Sequence, residues 1–103
     1  MNRDELKSGM VVELYNGEFG VVLLDTQKGD IIRNLSGINI FLNSYKINLL
    51  NHINYEFSII RIYEDWTLNY IFNKDKLKPE MAIWNRKKLN LVAERRYNYA
   101  GKL

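Results

Sequence analysis

Apolar and polar positions alternate most clearly between Met10 and Leu24, where two β-rich runs flank the pair Asn16-Gly17. Asn-Gly between such runs favours a two-residue type I′ turn, because both central residues must accept positive φ. That turn predicts Tyr15 opposite Glu18, Leu14 opposite Phe19, Val12 opposite Val21 and Met10 opposite Leu23. One face would then hold Met10, Val12, Leu14, Phe19, Val21 and Leu23. The other would carry Val11, Glu13, Tyr15, Glu18, Gly20 and Val22, the division expected of a hairpin lying on a core. Gly20 predicts a bend or bulge of the kind that curls a small sheet.

The remaining pattern continues in short, turn-marked runs. Strands are expected over 10–15, 18–24, 30–35, 38–43, 55–63 and 80–87, with turns at Asp25 to Asp30 and at Ser36-Gly37. Alternation points Ile38, Ile40 and Leu42 inward. In the fifth run Phe57, Ile59 and Tyr63 share one face with Arg61, while Ser58, Ile60 and Ile62 share the other. Residues 44–54 read as a loop in which Ile47, Leu49, Leu50 and Ile53 cover an open end of the core. Asn2 with Glu5 forms a capping-box pattern that predicts one N-terminal helical turn, stopped by Gly9. Trp66, Tyr70 and Asn73 lie at helical spacing after Asp65, so a short helix over 65–72 competes with an irregular crossover. Asn90 as a cap and Gly101 as a stop predict a short C-terminal helix over 90–100, with a strand as the alternative. The fold class expected is mainly β with some helix (α+β), a small antiparallel barrel of five to six strands.

Composition narrows the chemistry. At 103 residues the chain has the size of one domain, and with 47% hydrophobic residues it is expected to bury a core. No cysteine is present and His52 is the one histidine, which excludes disulfides, thiolate metal sites and multi-histidine cages. No apolar run approaches a membrane span and the N-terminus has no signal-peptide core, so a cytoplasmic protein without membrane contact is expected. Thirteen Asn and eleven Ile against three Ala fit an AT-rich coding genome.

The net charge of +3 hides an asymmetry. Residues 1–73 carry six basic and nine acidic side chains, net −3; residues 74–103 carry nine basic and three acidic, net +6. An acidic body thus ends in a basic segment over 74–103.

Candidate chemistry is sparse. His52 sits in an Asn-rich loop without a local nucleophile or orienting group, which favours a surface role over general-base catalysis. Asp25, Asp30, Glu64 and Asp65 fit turn and cap chemistry better than a Mg²⁺ site. Gly17, Gly20, Gly29 and Gly37 form no phosphate-binding loop. The expectation is therefore a non-enzyme with no catalytic residue, no metal and no cofactor. Only the basic, aromatic end invites a binding argument: Trp84, Arg86, Lys87 and Lys88, followed by Arg95, Arg96 and Tyr97, combine cations with rings that stack. The competing structural role is that Trp84 packs inside while the cations solvate the outer face.

Leu6-Lys7-Ser8-Gly9-Met10-Val11-Val12-Glu13-Leu14, Asn16-Gly17, Leu42-Asn43-Ser44-Tyr45, Phe57 to Glu64 and Ile83-Trp84-Asn85-Arg86-Lys87 resemble, in this order, a family of small proteins encoded by phages and prophages of low-GC Gram-positive bacteria. The resemblance spans nearly the whole chain and implies an SH3-like barrel. Where family members commonly read Trp-Glu-Arg-Lys-Glu, this chain has the more basic Trp84-Asn85-Arg86-Lys87-Lys88. The function this origin implies is an interaction protein that binds a host protein or nucleoprotein complex. Inhibitors of bacterial defence such as anti-CRISPR proteins are the analogy, and a nucleic-acid-binding module using the same patch is the alternative. Oligomeric state is left open.

Overall fold

The computed structural model describes residues 1–64 and 78–86. Six strands, β1 (Val11–Leu14), β2 (Phe19–Thr26), β3 (Gly29–Asn34), β4 (Asn39–Phe41), β5 (Ile59–Tyr63) and β6 (Trp84–Asn85), form one antiparallel sheet in the order β4-β3-β2-β1-β5-β6. The mainly β reading holds. Helical structure among the described residues is confined to 3-10 turns at Arg3–Glu5, Leu42–Ser44, Tyr55–Phe57 and Pro79–Met81. The helices expected over 65–72 and 90–100 lie outside the described residues.

Several expected strands are shorter than alternation suggested. The run 38–43 pairs only at Asn39–Phe41 before Leu42–Ser44 turns, and 55–63 pairs only from Ile59 because Asn54 caps a 3-10 turn, its side chain accepting from the Glu56 amide. In place of a strand from residue 80, Pro79 starts another turn and pairing begins at Trp84. Pro79 has no amide to give a ladder. The capping box at the N-terminus is present: Asn2 Oδ1 accepts from the Asp4 amide at 2.9 Å and Glu5 Oε1 from the Asn2 amide at 3.0 Å.

The first hairpin corrects the expected register by one residue. Val11 faces Val21, Val12 faces Gly20 and Glu13 faces Phe19. Only Gly17 has positive φ, +89°, so the loop is the three residues Tyr15-Asn16-Gly17, closed by the Gly17 amide on Leu14 O and the Leu14 amide on Glu18 O. This is a type I turn with a left-handed glycine bulge, the next most common hairpin after the two-residue form. Consecutive apolar positions, Val11-Val12 and Val21-Val22-Leu23-Leu24, give either register an apolar face, so alternation alone could not choose.

The consequence is a different division of side chains. Val12, Leu14 and Val22 join Ile32, Ile40, Tyr45, Leu49, Ile59 and Ile62 in the main core. Phe19 and Val21 go to the opposite face, where Val11, Phe19 and Tyr63 form a second cluster covered by Met81 and Ala82. A register shift between Glu13 and Leu14 skips Ile60, and this bulge lets Ile59 and Ile62, three residues apart, serve the same core.

The same three-residue loop recurs twice. Asn34 and Ile38 close Leu35-Ser36-Gly37 with Gly37 at φ +83°, and Lys46 and Leu50 close Ile47-Asn48-Leu49 with Leu49 at φ +74°. In the third copy a fully buried leucine occupies the left-handed position. The segment behind it is held by polar groups. Asn51, 1% exposed, donates Nδ2 to Ser44 Oγ at 2.9 Å, accepts at Oδ1 from the amides of Ile53 and Asn54, and donates its own amide to Ser58 Oγ. Leu49 and Leu50 cover the core as expected, but Ile47 and Ile53 are exposed.

Candidate interaction surface

Trp84 and Arg86 are the two expected contact residues that the structure describes; Lys87, Lys88, Arg95, Arg96 and Tyr97 lie outside the described residues. Trp84 stands opposite Ile62 on β6 and packs against the main core while remaining partly exposed. The Arg86 guanidinium lies 5.1 Å from the centre of the Trp84 ring. Its Nε donates to Ile59 O at 3.0 Å and its Nη2 to Asn48 O at 2.5 Å, while the Arg86 amide bonds Ile60 O. Arg86 therefore ties the end of β6 to β5 and to the third three-residue loop. Trp84 thus packs against the core, as one of the two roles weighed from sequence has it, with the cation of its own neighbour Arg86 over its ring. Beside them Ile83 and Asn85 are exposed.

On the outer face, Glu13 accepts from Arg61 Nη1 at 2.8 Å and from the Tyr63 hydroxyl at 3.1 Å. Burial and the adjacent Glu13 carboxylate push the Tyr63 hydroxyl well above the ordinary tyrosine range. Burial does the same to Tyr45, whose hydroxyl donates to Phe57 O at 2.8 Å. Both groups stay protonated donors, the opposite of what a tyrosine acting as a base near neutrality would need.

Of the carboxylates singled out in the sequence, Asp30 serves a turn, and Asp65 lies outside the described residues. Asp30 Oδ1 accepts the Asp25 amide at 2.8 Å, and Asp25 is left-handed, φ +58°, at the irregularity between Leu23 and Thr26. Among the described residues no three His, Cys, Asp or Glu side chains come together as a metal site. His52 is exposed, its amide bonded to Ser44 O. No helix among the described residues is long and apolar enough to cross a membrane.

Described residues line depressions in the surface. A cleft of about 530 Å³ between the N-terminal turn, the β2–β3 turn and Leu42-Asn43 is rimmed by Arg3, Asp4, Lys28 and Asp30, charges of both signs. A smaller groove of about 160 Å³ runs between β4 and the segment 51–57; no charged side chain lines it among the described residues. Sequence reading missed this second groove because alternation turned Ile38 inward and placed Ile53 over the core. Both are exposed, 52% and 76%. Comparison with protein-family models, with curated proteins and with solved structures returns no match for this chain.

Proposed function

We propose that the protein is a non-enzymatic interaction module, an SH3-like barrel that binds a host macromolecule through the surface where β6 runs into the basic C-terminal segment. The barrel reading is supported by one interior drawing on β1 to β5 together with the curling devices along it, Gly20 and the irregularities at Glu13/Leu14 and Leu23/Thr26. The observation that carries the binding reading is the Trp84–Arg86 stack. It is an aromatic platform held rigid by two carbonyls, from which Lys87 and Lys88 continue. Rigid aromatic anchors beside cations are the residue types that dominate interface energy and set association rate.

The net charge of +6 over 74–103 against −3 over 1–73 orients such a module toward an acidic partner surface. In a phage or prophage setting the corresponding role is obstruction of a host complex, including a defence complex in the manner of anti-CRISPR proteins; this part rests on the family resemblance alone.

The test is affinity capture by the tagged protein from lysate of a low-GC Gram-positive host, with and without nuclease, against a variant carrying Lys87→Glu and Lys88→Glu. Arg86 is left intact because its bonds to Ile59 and Asn48 belong to the fold. One discrete protein retained after nuclease and lost with the double variant supports the proposal. Capture that collapses with nuclease, and a complex with purified DNA or RNA that weakens steeply with salt, would replace it with nucleic-acid binding. Capture unaffected by the double variant sinks the assigned surface.

A further inference from the structure

The pair Asn16-Gly17 that marks the first hairpin also carries covalent chemistry. Asparagine is a thermolabile residue because its side-chain amide carbon, Cγ, can be attacked by the main-chain nitrogen of the next residue, closing a five-membered ring. A glycine in that next place removes the Cβ that would crowd the attack. Of the thirteen asparagines in the chain, Asn16 alone precedes glycine. Asn16 and Gly17 are both exposed, and a Cβ built on Gly17 would meet nothing within 4 Å, so water and base reach the pair.

The folded loop holds the reacting groups apart. The Gly17 N–H donates to Leu14 O at 2.9 Å, and this is the proton the nitrogen must lose to become a nucleophile. Asn16 Oδ1 accepts the Glu18 amide at 2.9 Å, which fixes the side chain. Ring closure also needs Asn16 Cβ and Gly17 N eclipsed about the Cα–C bond, a rotation of about 120° from the ψ near 0° that this place in a type I turn holds. That rotation is opposed from outside the loop, where the Tyr15 amide donates to Ser58 O at 2.9 Å and the Asn16 amide to Glu56 O at 3.0 Å. The loop must open before the ring can close.

We propose that Asn16 is a covalent modification site, deamidated through a succinimide with Gly17, and that the hydrogen-bonded loop is the gate on this reaction. Hydroxide takes the Gly17 amide proton, the nitrogen bonds to Asn16 Cγ, and the Cγ–Nδ2 bond breaks, Nδ2 leaving as ammonia with a proton from water. A second water opens the imide, and no electrons change hands. Opening at Cγ leaves an ordinary aspartate, whose carboxylate can still accept the Glu18 amide. Opening at the main-chain carbonyl leaves isoaspartate, which adds a methylene to the backbone. The three-residue loop is then one atom too long for the bonds from Gly17 to Leu14 O and from Leu14 to Glu18 O. The site does not depend on the Trp84–Arg86 surface.

The test incubates the full chain in mildly alkaline buffer, folded and fully unfolded in urea, and follows every asparagine by peptide mapping and mass spectrometry. Enzymatic methylation of isoaspartate separates the two products. In urea Asn16 is expected to react ahead of the other asparagines. In the folded protein its rate should be at least about tenfold lower, since only the open fraction of loops reacts. Below the unfolding transition, added urea should raise that rate in parallel with hydrogen exchange at the Gly17 amide, which reads the same opening. Another asparagine reacting first in urea would overturn the site. A folded rate within about tenfold of the urea rate, or one that does not follow Gly17 exchange, would overturn the gate.

Discussion

A Cβ placed on Gly20 would stand 2.7 Å from Cγ2 of Ile32 and 3.2 Å from the carbonyl oxygen of Arg33. Gly20 faces Val12 across the ladder, on the side of the sheet that encloses the main core, and β3 passes close over it. Ile32 is fully buried and β-branched, so its methyl has little room to turn away. Gly20→Ala should therefore destabilise the protein by about 1–3 kcal/mol, the usual cost of overpacking. Urea denaturation checks this, and a midpoint equal to that of the unaltered protein would show that β2 and β3 are not so close.

Leu49 makes an unusual demand. Its side chain is fully buried while its backbone is left-handed, φ +74°, where the two equivalent loops place Gly17 and Gly37. Leu49→Ala removes core packing and keeps the strain, costing about 2–5 kcal/mol. Leu49→Gly loses the same packing but frees the backbone by roughly 1–2 kcal/mol. The glycine variant should thus equal or exceed the alanine variant in stability, reversing the order expected at an ordinary strand position. Denaturant midpoints of the two variants decide it.

Stability should fall in alkali above pH 10. Tyr45 and Tyr63 keep their protons to higher pH in the folded state than the ordinary value of 10.0, chiefly through burial. Once the unfolded chain releases protons that the folded chain retains, each retained proton lowers unfolding free energy by about 1.4 kcal/mol per pH unit. Below pH 10 this contribution is flat. Ultraviolet titration should show a group of tyrosines that ionises only as the protein unfolds, and Tyr63→Phe should remove one from that group.

Asn51→Ala should cost about 2–4 kcal/mol, because it strands the amides of Ile53 and Asn54 and removes the donor to Ser44 Oγ, which still donates to Phe41 O. Hydrogen exchange at Ile53 and Asn54 should accelerate more than at Val12 in β1.

Arg86→Lys should destabilise by about 1–3 kcal/mol although the charge is kept, since an ammonium cannot reach Ile59 O and Asn48 O as the forked guanidinium does. Thermal unfolding of this variant beside Lys87→Gln separates the cation of the fold from its neighbour.

Local chemistry in the sequence determined much of this molecule. Asn2 with Glu5, the turns at Gly17 and Gly37 and the β-rich runs between them follow from preferences acting within a few residues, and the antiparallel, mainly β class follows from their spacing. The acidic body and basic end are likewise fixed by composition. Tertiary structure decided what those preferences left degenerate. Both faces of the first hairpin carry apolar side chains, so its register was chosen by which of them the other strands could cover: Val22 beside Ile32, Phe19 beside Tyr63. The packing of Trp84 on the core, the inward Leu49 and outward Ile53, and the place of β4 at the end of the strand order depend on residues dozens of positions away. No alternation within a single run carries that information, because burial is a property of what lies opposite.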